Sequence, residues 1–266
     1  MHIIDFHAHI YPDKIAVKAS KAIGNFYSAP IRYNGFIQEL LKSGSAIGVE
    51  RYVVHSTATK AEQVESINNF IIQEISKEPS FVGFGTMHPD FKDYAYELDR
   101  IAAAGLRGIK LHPDFQKFEA DATKMDDIYE CIAEKGMPVL FHAGDCRYDF
   151  SGPRRIAHVL DKHPSLKVIA AHFGGYTEWD EAYELLAGRN LWFDTSSTLW
   201  KLPTEKAIKI INKHGYKNFF FGSDFPMWDH SEELKRFLSL GLTEEENKAI
   251  LYDNAAVFLD LLAEIK

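Results

Sequence analysis

Four short segments of this chain each end an apolar run in a side chain able to hold a metal ion. They are Ile4-Asp5-Phe6-His7-Ala8-His9, Val139-Leu140-Phe141-His142, Val168-Ile169-Ala170-Ala171-His172 and Phe219-Phe220-Phe221-Gly222-Ser223-Asp224. Imidazole nitrogen and carboxylate oxygen are the donors that zinc and related divalent ions take. A lone histidine at a strand end is more often a buried group with a hydrogen-bond partner. Here the joint pattern decides. Of twelve histidines, seven (His7, His9, His55, His88, His112, His142 and His172) fall in the carboxyl-terminal parts of strand-like runs. Chance placement would scatter them over helices and loops.

Such donors meet only if the runs are parallel strands whose ends converge. Eight runs read as strands: His2–Ile10, Arg51–Thr57, Phe81–His88, Leu106–His112, Pro138–Ala143, Lys167–Phe173, Leu191–Ser196 and Asn218–Asp224. They are short, apolar and rich in β-branched or aromatic residues, as in a sheet covered on both faces. Helical patterns separate them. Val64, Ile67, Ile71 and Ile75 share one face of residues 61–77, and Met125, Ile128, Tyr129 and Ile132 one face of residues 124–135. That second helix stops at Lys135-Gly136, and Thr243-Glu244-Glu245-Glu246 forms a capping-box pattern at the last. Alternating strand and helix eight times predicts an α/β fold, a (β/α)8 TIM barrel with the metal site at the carboxyl-terminal mouth. An open doubly wound sheet would keep the first and eighth strands apart, and the His/Asp set needs them together. Side-chain alternation turns His7 and His9 into the barrel and Phe6 and Ala8 toward the helices. Asp5 shares their parity but lies deeper, with a structural role. The segment from Tyr11 to Asn34 follows the first ligand pair and reads as a loop or short-helix insertion over the mouth.

The 266 residues suit one such barrel, and no repeat or linker divides residues 1–266 into two domains. The net charge of −8 without a long basic stretch argues against a nucleic-acid partner. Two cysteines, Cys131 and Cys146, make no disulfide framework and fit a reducing compartment. No signal-peptide pattern and no bilayer-spanning run is visible, so a cytoplasmic location is expected. The expected partner is a small-molecule substrate. By analogy with such folds a homodimer is compatible with the chain, which leaves the oligomeric state open.

With Gly108-Ile109-Lys110-Leu111-His112-Pro113, Phe141-His142-Ala143-Gly144, Ala171-His172-Phe173-Gly174-Gly175 and Phe221-Gly222-Ser223-Asp224-Phe225-Pro226 added to the first segment, the chain resembles the amidohydrolase superfamily. The similarity spans nearly the whole chain, in order. It is strongest to the amidohydrolase-related branch that includes aminocarboxymuconate-semialdehyde decarboxylase. The resemblance implies one catalytic divalent ion, zinc first and manganese as the alternative, held by His7, His9, His142 and Asp224. It implies that His172 sits beside the bound water and assists proton transfer. A second ion, with His172 as its ligand and a carboxylated Lys110 as bridge, is the less favoured reading. A nuclease branch carries a glutamate on the fourth strand, and here that strand reads Gly108-Ile109-Lys110-Leu111-His112 without one.

An ion of this kind lowers the pKa of a bound water from about 15.7 toward about 7 and polarises a substrate oxygen. Asp224, with two oxygens, can ligate and also carry a proton. The expected reaction is hydrolysis of an amide, ester or lactone bond of a small anionic substrate. The alternatives are decarboxylation of a small carboxylic acid and a catalytically silent metal-binding barrel. Lys110, His112 and Arg147 are candidate contacts for an anionic group, although Asp145 or Asp149 could pair with Arg147. Trp200 and Trp228, in loops after the seventh and eighth strands, could wall the pocket or merely pack. Asp194 and Ser196 read as hydrogen-bonding residues at the mouth, and Cys146 as a bystander.

Overall fold

Each of the eight apolar runs forms a strand in a computed structural model, which describes residues 1–263, with side chains described to residue 260. The strands are β1 (Ile3–His9), β2 (Val49–His55), β3 (Phe81–Thr86), β4 (Gly108–Leu111), β5 (Pro138–Phe141), β6 (Lys167–Ala170), β7 (Trp192–Asp194) and β8 (Phe219–Phe220). They pair in parallel in sequence order. The barrel closes where Phe6 N donates to Phe221 O (2.8 Å), Asp224 N to His7 O (2.8 Å) and His9 N to Phe225 O (2.8 Å). Strand β8 is shorter than its apolar run because its later amides turn elsewhere. Phe221 N donates to Ile250 O, Gly222 N to Thr195 Oγ1 and Ser223 N to Asp5 Oδ1. The two periodic segments form the α-helices Val64–Lys77 and Asp126–Glu134. Thr243 accepts from Glu246 N at the head of Glu244–Lys248, and the capping box is complete. Among the described residues no helix is long and apolar enough to cross a membrane.

Simple alternation fails on β1. The register with β2 slips between Asp5 and Ala8, so one extra residue is accommodated there. Phe6 consequently lies inside the barrel, stacked on Phe220 at 4.2 Å and packed with Ile4, Val53, Phe84, Leu140 and Ile169. Phe258 and Leu259 of the last helix close this cluster from below. Asp5 instead leaves the barrel interior and accepts from Ser223 Oγ (2.6 Å), with His230 Nε2 at 2.9 Å. The slip lets an apolar plug and the two histidines share one strand face.

The segment after β1 holds the other departure. Residues Asp13–Tyr27 form a 15-residue helix, α1, where a loop or short helix was expected. Ile15, Ala19, Ala22, Ile23 and Phe26 repeat at helical spacing and line one cavity.

One histidine far from the mouth contributes to the loss of stability in acid. His214 is buried, stacks on Phe193 at 4.1 Å and accepts from Gly188 N at 3.0 Å. Burial lowers its pKa from 6.5 to about 4. The unfolded chain therefore takes up this proton first, and stability is lost as pH falls from 6.5 toward 4, by about 3 kcal/mol. Urea midpoints over that range should fall less steeply for His214→Gln than for the native chain. Parallel slopes would show that His214 does not carry the effect.

Candidate metal centre

His7 and His9 end β1, and the turn after β8 brings Asp224 to them. Asp224 Oδ1 lies 3.4 Å from both His7 Nε2 and His9 Nε2. Two donors bound tetrahedrally at about 2.1 Å stand about 3.4 Å apart, so this spacing fits a shared zinc-sized ion. Asp224 Oδ2 accepts from Ser197 Oγ. Trp228 Nε1 donates to that hydroxyl at 2.8 Å and Trp200 Nε1 to Ser197 O at 3.0 Å. The two tryptophans thus brace the carboxylate through Ser197, and neither lines the two cavities described below.

Asp194, at the end of β7, orients the imidazoles. Its Oδ2 faces His7 Nδ1 at 2.8 Å, and its Oδ1 accepts from His172 N (3.0 Å) and Ser196 Oγ (2.5 Å). Donation from His7 Nδ1 leaves the Nε2 lone pair for the site. In the same way His172 Nδ1 donates to Ser196 O at 3.0 Å, and its Nε2 points at His142 Nδ1, 3.0 Å away. With Nδ1 donating, His172 Nε2 is an acceptor, and His142 Nδ1 stands within hydrogen-bond distance of it. Burial favours the neutral form of these rings: it lowers His9 and His172 to about 4, and His55, His112 and His142 well below 6.5. Metal ligation needs the neutral form. Burial pushes the Asp224 carboxyl up, but His7, His9 and His172 outweigh it and hold the group below the usual range. His172 and Asp224 both adopt left-handed backbone, at φ 61° and 57°, a cost that concentrates at functional sites.

His142 directly follows β5 and stacks on His112 at 3.9 Å, and a donor atom of each lies within 4.8 Å of one on Asp114. Lys110 is fully buried, with Nζ 3.2 Å from His7 Nε2. Burial lowers its pKa to about 8 against the pull of Asp194 and Asp224. Arg147 lies further out: its Nε and Nη2 grip Asp145 at 2.8 and 2.5 Å, and it stacks on Phe26 at 4.6 Å. Its charge is already matched by Asp145.

Two site residues were invisible to strand-end reasoning. Tyr27, in the last turn of α1, puts its hydroxyl 3.0 Å from His112 Nε2 and 3.4 Å from His142 Nε2. Asp114, just past β4, is buried, accepts from Ser151 Oγ, and is pushed up to about 7 by burial. Only the apolar spacing of α1 could have drawn attention to Tyr27. Under it is a chamber of about 20 Å³ among His9, His112, His142, His172 and Asp224. A cavity of about 520 Å³ adjoins it and shares His9, Ile23 and Phe115.

A closed parallel barrel with buried imidazoles and carboxylates at its strand ends defines a metal-binding TIM-barrel enzyme. The chain belongs to the amidohydrolase family, whose sequence model matches residues 4–261. No curated protein matches it in sequence. Its fold is similar to that of an uncharacterized TIM-barrel protein from Bordetella bronchiseptica (TM-score 0.82, 19% identity, 99% of this chain and 100% of that one). It is also similar to a dihydroxybenzoic acid decarboxylase from a Polaromonas species, with bound manganese (0.76, 17%, 98% and 97%). A third similar structure, from Pseudomonas putida, is provisionally named a 2-pyrone-4,6-dicarboxylic acid hydrolase (0.70, 18%, 99% and 98%).

Proposed function

We propose that this chain is a metal-dependent decarboxylase of a small aromatic or similarly flat unsaturated carboxylic acid. The carrying observation is the wall of the larger cavity. Ile15, Ala19, Ala22, Ile23, Phe26, Ile67, Phe70 and Phe115 face it, while Lys14 and Lys117 stand exposed at its rim. A flat ring fits such a wall, and its carboxylate is stripped of water as it approaches His9. Desolvation favours loss of charge as carbon dioxide departs. The bond to the carboxyl carbon breaks, its electron pair stays on the ring carbon, and that carbon takes a proton.

His7, His9 and Asp224 would hold one divalent ion, with His142 and His172 facing the same chamber. Manganese gains support from the Polaromonas decarboxylase, and zinc from the 3.4 Å donor spacing. When bound, the ion supplies Lewis acidity toward a substrate oxygen. The protein's side chains do the rest. Asp224, whose Oδ1 faces the ion site and whose Oδ2 accepts from Ser197 Oγ, is the carboxylate we assign to exchange a proton with the reacting group. Asp114, near neutrality in its pKa, supplies a second proton-holding group on the cavity wall. Tyr27, buried and pushed well above 10 by that burial, keeps its proton and roofs the chamber.

Hydrolysis is the second reading, favoured by the chamber of about 20 Å³ beside Asp224 and His172. That is room for about one water. The deciding experiment loads the protein with manganese or zinc and offers hydroxybenzoates and unsaturated acids beside amides, esters and lactones. Carbon dioxide release from an acid is the expected result. Acid release from a lactone or amide without carbon dioxide would replace decarboxylation by hydrolysis. Neither product would leave a metal-binding barrel without catalysis.

A further inference from the structure

His55 ends β2 and stands directly beside His9 in the parallel register. Its ring centre is 4.4 Å from that of His9 and 4.9 Å from that of His7, edge-on to both. One ring nitrogen of each of these three histidines lies within 4.8 Å of the other two. His55 is fully buried, and neither of its ring nitrogens has a hydrogen-bond partner among the described residues. Every other imidazole of the mouth has one or more polar atoms nearby: Asp194 for His7, Asp224 for His9, Tyr27 for His112, His172 for His142 and Ser196 for His172. An unpartnered buried polar group carries a full desolvation cost and calls for an explanation. A substrate does not supply one, since His55 lines neither cavity of the mouth.

We propose that His55 is a further ligand of the metal centre, one ring nitrogen joining His7, His9 and Asp224 around the ion. This rests on the metal-centre reading above. The β1–β2 pairing presents His9 and His55 side by side at one level, and the β1 slip places His7 next to them. Three imidazoles from two adjacent strands thereby bring one ring nitrogen each within 4.8 Å of the others, and Asp224 Oδ1 lies 3.4 Å from Nε2 of His7 and of His9. A cation there gives the orphaned nitrogen its partner without moving the backbone.

The first test is a crystal structure of the native chain loaded with zinc. The expected result is a His55 nitrogen at about 2.0–2.1 Å from the ion. An ion held by His7, His9 and Asp224 with His55 more than about 3 Å away overturns the proposal and leaves the centre intact. A chain that binds no ion overturns both. The second test compares His55→Leu and His55→Gln with the native chain by chelator competition and by the visible spectrum of the cobalt-loaded protein. Affinity should fall by at least about tenfold, with a changed spectrum. The metal-free His55→Leu chain should unfold at no lower temperature, because it loses only an unpartnered imidazole. Unchanged affinity and spectrum would overturn the proposal. Should neither variant fold, the native crystal structure alone decides.

Discussion

Asp224→Asn is expected to lower kcat by about 10²- to 10⁴-fold, the range a positioned proton-transfer group contributes. Asparagine keeps the size of the side chain and can still accept from Ser197 Oγ at its oxygen. It loses the negative charge that faces His7 Nε2 and His9 Nε2 at 3.4 Å, and with it the ability to carry a proton. Turnover and ion content should both be measured on the same preparation. Loss of turnover with the ion retained assigns Asp224 mainly to proton exchange. Loss of both assigns it mainly to holding the ion. Near-native turnover at full ion occupancy would remove Asp224 from the chemistry and with it the mechanism drawn above.

Asp194→Leu is expected to destabilise the fold by at least about 1–3 kcal/mol, the cost of leaving a buried donor without its acceptor, since several donors lose theirs at once. Asp194 is fully buried and meets His7 Nδ1, His172 N, Ser196 N and Ser196 Oγ. Burial pushes its carboxyl up, but His7 and His172 outweigh it and hold the group well below the usual range. Ion affinity should fall by about 10- to 100-fold as well, because the His7 ring loses the acceptor that fixes its tautomer. Asp194→Asn keeps the shape and should recover part of the stability while leaving affinity impaired. Denaturant unfolding of the metal-free chains separates the two effects. If Asp194→Leu unfolds at the native midpoint and binds the ion as tightly, the orienting role is gone.

The eight strands were legible because each is a short apolar run bounded by polar segments, and burial on both faces forces that composition. Convergence of His7, His9 and Asp224 followed from the same reading, since parallel strands in a closed barrel bring their carboxyl ends to one mouth. The inward turn of Phe6 was not legible. Alternation assigns faces only while the register holds, and the slip between Asp5 and Ala8 resets it. Residues Asp13–Tyr27 were harder still. The polar face of α1 carries Lys14, Lys18 and Lys21, and its stripe of Ile15, Ala19, Ala22 and Ile23 is weakly apolar, so it reads as irregular until something lies beneath it. Arg147 read as a candidate contact for an anion and equally as a partner of Asp145 or Asp149. Only coordinates show its guanidinium forked onto Asp145.

What the sequence determined by itself is the barrel and the donor types at its mouth, because both follow from composition repeated along the chain. Tertiary structure decided which nitrogen each ring presents, that Asp194 sets the His7 tautomer, that Tyr27 roofs the chamber, and that His55 stands unpartnered beside His9. These depend on contacts between residues tens to hundreds of positions apart, such as His7 with Asp194 and Tyr27 with His112. Local pattern places a side chain on a strand end. It carries no information about the hydrogen bond that a residue from another strand will make to it, and that bond determines what the group can do.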